Sequence, residues 1–302
     1  MERIRRKVRN YNVFAGHAYY TPAVKGMFVL LLLLLLGALI GSLVTALLML
    51  VYGNSFATEY GTLVSYPIMF IPPMMYAGYK SRSNAVFEQG YALDSNHFGK
   101  TGGWVCALMA AVAVLAAAFM TDFINAQMPP MPEWLEEALT SMTQGTLWVN
   151  LLCVSVFAPL FEEWLCRGMV LRGLLNARKY DGSQRIAPAW AIVISALFFA
   201  VIHLNPWQAI PAFILGCLFG FVYYKTGSLK LTMLMHCVNN TFAVIAGQIE
   251  SLAEMETWMD VLSPKQYWVI FAGCALLLIL IVREFGKIPL RSPAGNCDPV
   301  NE

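Results

Sequence analysis

The sequence predicts an all-α polytopic membrane protein, a bundle of about eight transmembrane helices, and three observations predict it. Apolar residues make up 58% of the 302-residue chain and charged residues only 13%, about half the charge of a soluble protein. The apolar residues come in blocks of about twenty, enough to cross a hydrocarbon core of about 30 Å at about 1.5 Å per helical residue. Finally, lysines and arginines gather in alternate connections between blocks, the bias that sets orientation in a membrane.

The first span, 27–51, follows a basic segment, 1–26. It is too long for the apolar region of a signal peptide and lacks a small-residue cleavage site. Gly37 and Gly41 form a GxxxG pair there, a motif common enough by chance to carry little weight. The second span, 60–79, contains Pro67, Pro72 and Pro73, which predict a kinked or broken helix. The third, 103–121, leads into "DFINAQMPPMPEWLEEALTSMTQG". Within that connection Pro132 to Met142 predicts a short helix, with Trp134, Leu135 and Leu139 resting at the outer interface. Spans follow at 146–172, 187–205, 208–224, 229–249 and 266–283.

Arg3, Arg5, Arg6, Lys7 and Arg9 precede span one, and Lys80, Arg82 and Lys100 lie between spans two and three. Arg172, Arg178, Lys179 and Arg185 surround the next inner connection, Lys225 and Lys230 the one after, and Arg283, Lys287 and Arg291 follow span eight. The intervening connections hold Lys265 and many acids. Both termini are therefore expected in the cytoplasm of a cell that carries the protein in its plasma membrane. The organisation expected is a cytoplasmic basic N-terminus (1–26), helices one to three with an outer loop (27–145), a helical core (146–250), and a last helix with a polar cytoplasmic tail (251–302). A net charge of +2 gives no reason to expect a nucleic-acid partner. The seven cysteines lie mostly in apolar segments without CxxC spacing and are expected as free, small packing residues.

Ionisable side chains are costly in lipid and usually face a polar cavity. Those well inside the spans are Glu162, Glu163, Arg167, His203 and His236, and Asn240 lies one turn past His236. Glu163 and Arg167 are four apart with the acid first, the favourable order for an ion pair on one helix. Glu162 is rotated about 100° from Glu163, so only one of the two shares Arg167 fully. His236 and Asn240 also share a helix face, and Phe199 and His203 repeat the interval on span five. Each piece alone has a structural reading: a pair tying a helix, a hydrogen-bonding histidine, a core phenylalanine. Their joint occurrence in so apolar a chain is what needs a function.

"EEWLCR", "FAVIH" and "HCVNN", in that order on separate helices, resemble the EExxxR, FxxxH and HxxxN motifs of the CPBP family of intramembrane proteases. That family includes type II CAAX prenyl endopeptidases and the Abi proteins linked to bacteriocin processing and immunity. The resemblance covers about a third of the chain, roughly 146–250. It implies an intramembrane endopeptidase in which Glu162, helped by His203, activates water. It implies further that His236 and Asn240 stabilise the oxyanion, that Glu163 and Arg167 hold the helix, and that Phe199 packs beside the site. The chemistry is compatible: a carboxylate in an apolar setting is a strong base once ionised, and an amide and an imidazole N–H suit an oxyanion. The expected partners are the bilayer and a membrane-associated or lipidated peptide, prenylated or a leader.

Alternatives remain at this point. Glu162, His203 and His236 form a possible His₂Glu zinc site, although no HExxH occurs and Asn240 fits an oxyanion hole better, so no cofactor is favoured. A proton-coupled transporter predicts repeated halves, which the sequence lacks, and a non-catalytic immunity or scaffold protein has no need of the full set. One difficulty is geometric. Along straight helices His236 lies about 9 Å in from Lys230 and His203 about 20 Å from Trp190. Those depths do not coincide without tilt, a partially inserted span five or a water-filled funnel.

Overall fold

Each apolar block becomes a helix in the computed structural model, which describes residues 14–142, 145–249 and 257–300, with 252 and 255. The basic cluster from Arg3 to Arg9 lies outside the described residues. The helices are α1 (Val24–Tyr52), α2 (Asn54–Asn84), α3 (Gly103–Asn125), α4 (Glu133–Met142), α5 (Leu147–Asn176), α6 (Pro188–Val201), α7 (Pro206–Thr226), α8 (Leu229–Ala246) and α9 (Pro264–Gly286). Of these, α1, α3, α5, α7 and α9 are both long and apolar enough to cross a membrane. The short α4 is the helix expected on the outer loop, with Leu135 buried and Trp134 exposed.

The three prolines of α2 do not break it: the helix runs without interruption from Asn54 to Asn84. A proline removes the amide that would bond the carbonyl four residues earlier, so Pro73 frees the carbonyl of Met69. α1 packs along α2 at that level, and a Cβ on Gly37 would lie 2.1 Å from the Met69 oxygen. Gly41 makes the next close approach, to Ser65. The GxxxG pair is thus the α1–α2 contact itself, and its glycines are there because a side chain would collide with backbone.

α5 carries the two acids and is not a uniform helix. Leu151–Phe157 and Trp164–Leu171 are π-helical, with a short α-helical stretch, Ala158–Glu163, between them. Wide turns of this kind are rare and often mark functional sites. Pro159 contributes locally. Ala158 donates its amide to the carbonyl of Cys153, five residues back. In that register Val154 would bond the amide of residue 159, which proline lacks.

Span five ends sooner than the sequence suggested. α6 has 14 residues, about 21 Å, and stops before His203. The cause is "HLNP": the residue before proline is pushed out of the helical region, and Asn205 is extended, its side chain accepting the Gln208 amide at 2.9 Å to cap α7. His203 therefore sits in the turn of an α6–α7 hairpin, and Trp207 beyond it donates to the carbonyl of Pro129 on the α3–α4 connection at 2.9 Å.

The polar tail is not free. Pro299–Val300 pairs antiparallel with Gly90–Tyr91 of the α2–α3 connection. Asn296 is fully buried, donates to the carbonyls of Lys225 and Pro289, and accepts the Arg291 amide. Asp298 bridges His97 at 2.7 Å and Arg291 at 2.9 Å. Arg172, also fully buried, donates to the carbonyls of Gly168, His17, Ala18, Tyr20 and Tyr91. The described N-terminal segment, the α2–α3 connection, the end of α5 and the tail thus form one cap at one end of the bundle. Burial pushes the Cys297 thiol in this cap up to about 11, with Tyr223 and Arg172 pulling the other way.

Candidate active site

The α-helical stretch of α5 directs Glu162 and Glu163 apart, and each meets a different set of partners. Glu163 is fully buried and accepts from Arg167 Nη1 at 2.7 Å. Arg167 also donates from Nη2 to the Gly216 carbonyl at 3.0 Å. Its guanidinium lies between the Phe199 ring, at 4.6 Å, and the Phe219 ring, at 5.1 Å. A buried charge needs this much company, from an ion pair, a carbonyl and two aromatic faces. Gly216 has no side chain because a Cβ there would press on Ala196 and on the Arg167 guanidinium.

His236 on α8 faces both acids. Its Nδ1 lies 3.2 Å from Glu163 Oε1 and its Nε2 lies 3.9 Å from Glu162 Oε2. A carboxylate paired with arginine accepts, so Nδ1 carries the hydrogen in the first contact. Glu162 takes its other oxygen to α2, where Tyr66 donates its hydroxyl to Oε1. Glu162 Oε2 is buried with no hydrogen-bond partner.

Asn240, one turn along α8, donates its amide to the Val154 carbonyl at 2.8 Å and accepts from Asn239 at 3.1 Å. This is the carbonyl that Pro159 leaves without a partner. Asn240 replaces the missing amide, which fixes which way its side chain points and leaves its second amide hydrogen to be used. His203 Nδ1 lies 2.8 Å from the Phe199 carbonyl. A carbonyl only accepts, so Nδ1 holds the hydrogen and Nε2 of the neutral ring presents a lone pair.

The sequence-derived residues therefore converge: Glu162, Glu163, Arg167 and His236 by polar contact, and Asn240 one turn from His236 through the Val154 carbonyl of α5. His203 joins through Phe199, whose ring meets His203 edge-on at 5.0 Å and His236 at 5.5 Å. His203 makes no hydrogen bond to Glu162. The turn placement of His203 and the shared Phe199 ring bring His203 and His236 together despite the depths computed for straight helices. Among the described residues, no three histidine, cysteine, aspartate or glutamate side chains are grouped to hold a metal ion. The Glu162, His203 and His236 donor set does not fit a zinc ion in this geometry.

Tyr66, Phe219 and Asn239 escaped the sequence reasoning. Tyr66 offered a faint signal, as a phenol in a proline-rich span. Phe219 offered none, being one apolar residue among many.

A helical membrane bundle whose acids, histidines and asparagine meet between α5, the α6–α7 turn and α8 is the arrangement expected of the CPBP class. Residues 144–242 match the family described as type II CAAX prenyl endopeptidase Rce1-like. That segment contains every motif residue named above, so the CPBP resemblance is borne out across it. The chain is also similar to the membrane-embedded CAAX protease MroQ of Staphylococcus aureus (strain USA300), 34% identical over 93 residues. The alignment covers 30% of this chain and 36% of MroQ, a little over a third of the relative's length. No solved structure matches.

Proposed function

We propose that the protein is an intramembrane endopeptidase that hydrolyses a peptide bond near the membrane surface. The observation that carries this reading is Glu162 Oε2, a buried carboxylate oxygen without a partner that faces an imidazole nitrogen at 3.9 Å. Water accepted there loses a proton to Glu162 as its oxygen attacks the peptide carbonyl. His203 Nε2, held as an acceptor by the Phe199 carbonyl, assists. The oxygen of the tetrahedral intermediate is met by the free amide hydrogen of Asn240. It is also met by His236 Nε2 when that ring carries both protons, since Nδ1 already serves Glu163. Glu162 then returns the proton to the leaving amine as the carbon–nitrogen bond breaks. Removing one oxyanion donor costs about 100- to 1,000-fold in rate.

The mechanism needs no metal ion. Substrates are membrane-associated peptides, either lipidated CAAX-type C-termini or leader peptides of bacteriocin type. We place the cap in the cytoplasm on the strength of its lysines and arginines, in a plasma membrane.

The test is cleavage of a panel of lipidated and unlipidated peptides by purified protein in detergent. Glu162→Gln is expected to lose about 100- to 10,000-fold in kcat, and His203→Ala to fall with it. Parent-like turnover by Glu162→Gln would end the mechanism. Zinc-reversible inhibition by a selective chelator would replace it with a metalloenzyme.

A further inference from the structure

The geometry points to Tyr66 as a positioning residue for Glu162, supplied by a helix outside the segment that matches the protease family. This rests on the reading of Glu162 as the base. α2 lies before residue 144, so the matched segment does not contain it.

Three observations converge on Tyr66. Its hydroxyl donates to Glu162 Oε1, and that oxygen has no other protein donor among the described residues. The opposite oxygen, Oε2, is left without a partner on the side of His236. Finally, the ring is clamped: Tyr66 packs against Phe70 at 5.6 Å, and Phe70 stacks on Phe161, the neighbour of Glu162, at 5.1 Å and 15°. The ladder packs the ring beside Glu162, and the hydroxyl fixes how the carboxylate turns. A carboxylate on a two-carbon stem rotates freely unless one oxygen is tied. Tying Oε1 presents Oε2 to the water. Tyr66 itself touches no reacting atom. It acts by removing misaligned orientations, and a misplacement of about 1 Å costs a reaction about 100-fold.

The experiment compares Tyr66→Phe with Glu162→Gln in the purified full chain, using whichever panel peptide the parent cleaves. Tyr66→Phe should keep the parent's melting and elution profiles and hold KM within about twofold. Its kcat should fall about 10- to 100-fold. Incorporating 3-fluorotyrosine at position 66, which keeps ring and hydroxyl, should restore kcat to within about threefold of the parent. Phe70→Leu loosens the same packing but leaves the hydroxyl in place. If it lowers kcat as far as Tyr66→Phe does, packing is responsible and the proposal falls. It falls equally if Tyr66→Phe changes KM alone, or keeps the parent's kcat while Glu162→Gln is inactive, an outcome that spares the base. Activity in Glu162→Gln removes the base reading itself, whatever Tyr66→Phe does.

Discussion

The cap and the site both bury charge in a chain that has little of it, and they do so in opposite ways. In the cap, all three guanidinium nitrogens of Arg172 are spent, on five carbonyls drawn from three segments. In the site, Glu162 Oε2, Glu163 Oε2 and Arg167 Nε are buried and unpaired. Leaving such groups unpaired is unfavourable, so the site holds polar capacity that the fold does not use. The cap has unpaired polar atoms of its own, at His17 Nδ1 and Asn176 Oδ1. Its buried guanidinium is fully paired, however, whereas the charged groups of the site keep valences open.

This contrast is most exposed to substitution at Arg172. Arg172→Met keeps the volume and removes the donor that five carbonyls share, of which those of His17 and Ala18 keep a backbone amide. It should cost about 3–5 kcal/mol of stability, seen as a large fall in the detergent melting temperature or a failure to purify. Glu162→Gln should leave that temperature unchanged or raise it slightly, because the site then loses an unpaired charge and keeps an acceptor for Tyr66. Equal losses in the two variants would erase the distinction.

A smaller effect is expected at Pro159. Pro159→Ala restores the amide that competes with Asn240 for the Val154 carbonyl. The freed asparagine should lower kcat by about tenfold, less than losing the donor outright, with little change in melting. An unchanged kcat would mean that the carbonyl does not orient Asn240.

The smallest effect belongs to the cap and to alkaline pH. Because burial raises the Cys297 thiol to about 11 from an ordinary 9.0, its contribution to docking the tail is fully present below pH 9. It is lost as pH rises from 9 toward 11, where the unfolded thiol ionises before the folded one. Alkylation of Cys297 by iodoacetamide should stay slower than that of an exposed thiol below pH 9. Above it, the rate should climb more steeply than thiol ionisation alone accounts for, and a curve parallel to a free thiol's would count against the docked tail.

Much of this was legible in the sequence, for identifiable reasons. The helices follow from apolar blocks, and the site from ionisable residues that lipid does not tolerate at random. His203 was legible as a site residue but not as part of a turn, since the break depends on Asn205 and Pro206 beyond it. Tyr66 was hidden because a phenol is unremarkable in a membrane helix and its partner is 96 positions away. The docked tail was hidden too: its composition is polar, and what holds it is backbone pairing, one buried asparagine and the contacts of Asp298 with His97 and Ser95. Gly37 and Gly41 carry little weight in the sequence, because their use depends on the Met69 and Ser65 backbone of α2, which comes close only in the fold.

The pairing of Pro299–Val300 with Gly90–Tyr91 bears on how the protein is handled. Trimming the chain just after its final helix, a common step when preparing such proteins, would strip one edge from a two-stranded ribbon and withdraw the asparagine that fastens the end of α7. A purification tag is therefore safer joined through a long flexible spacer after Glu302 than grafted in place of the last dozen residues.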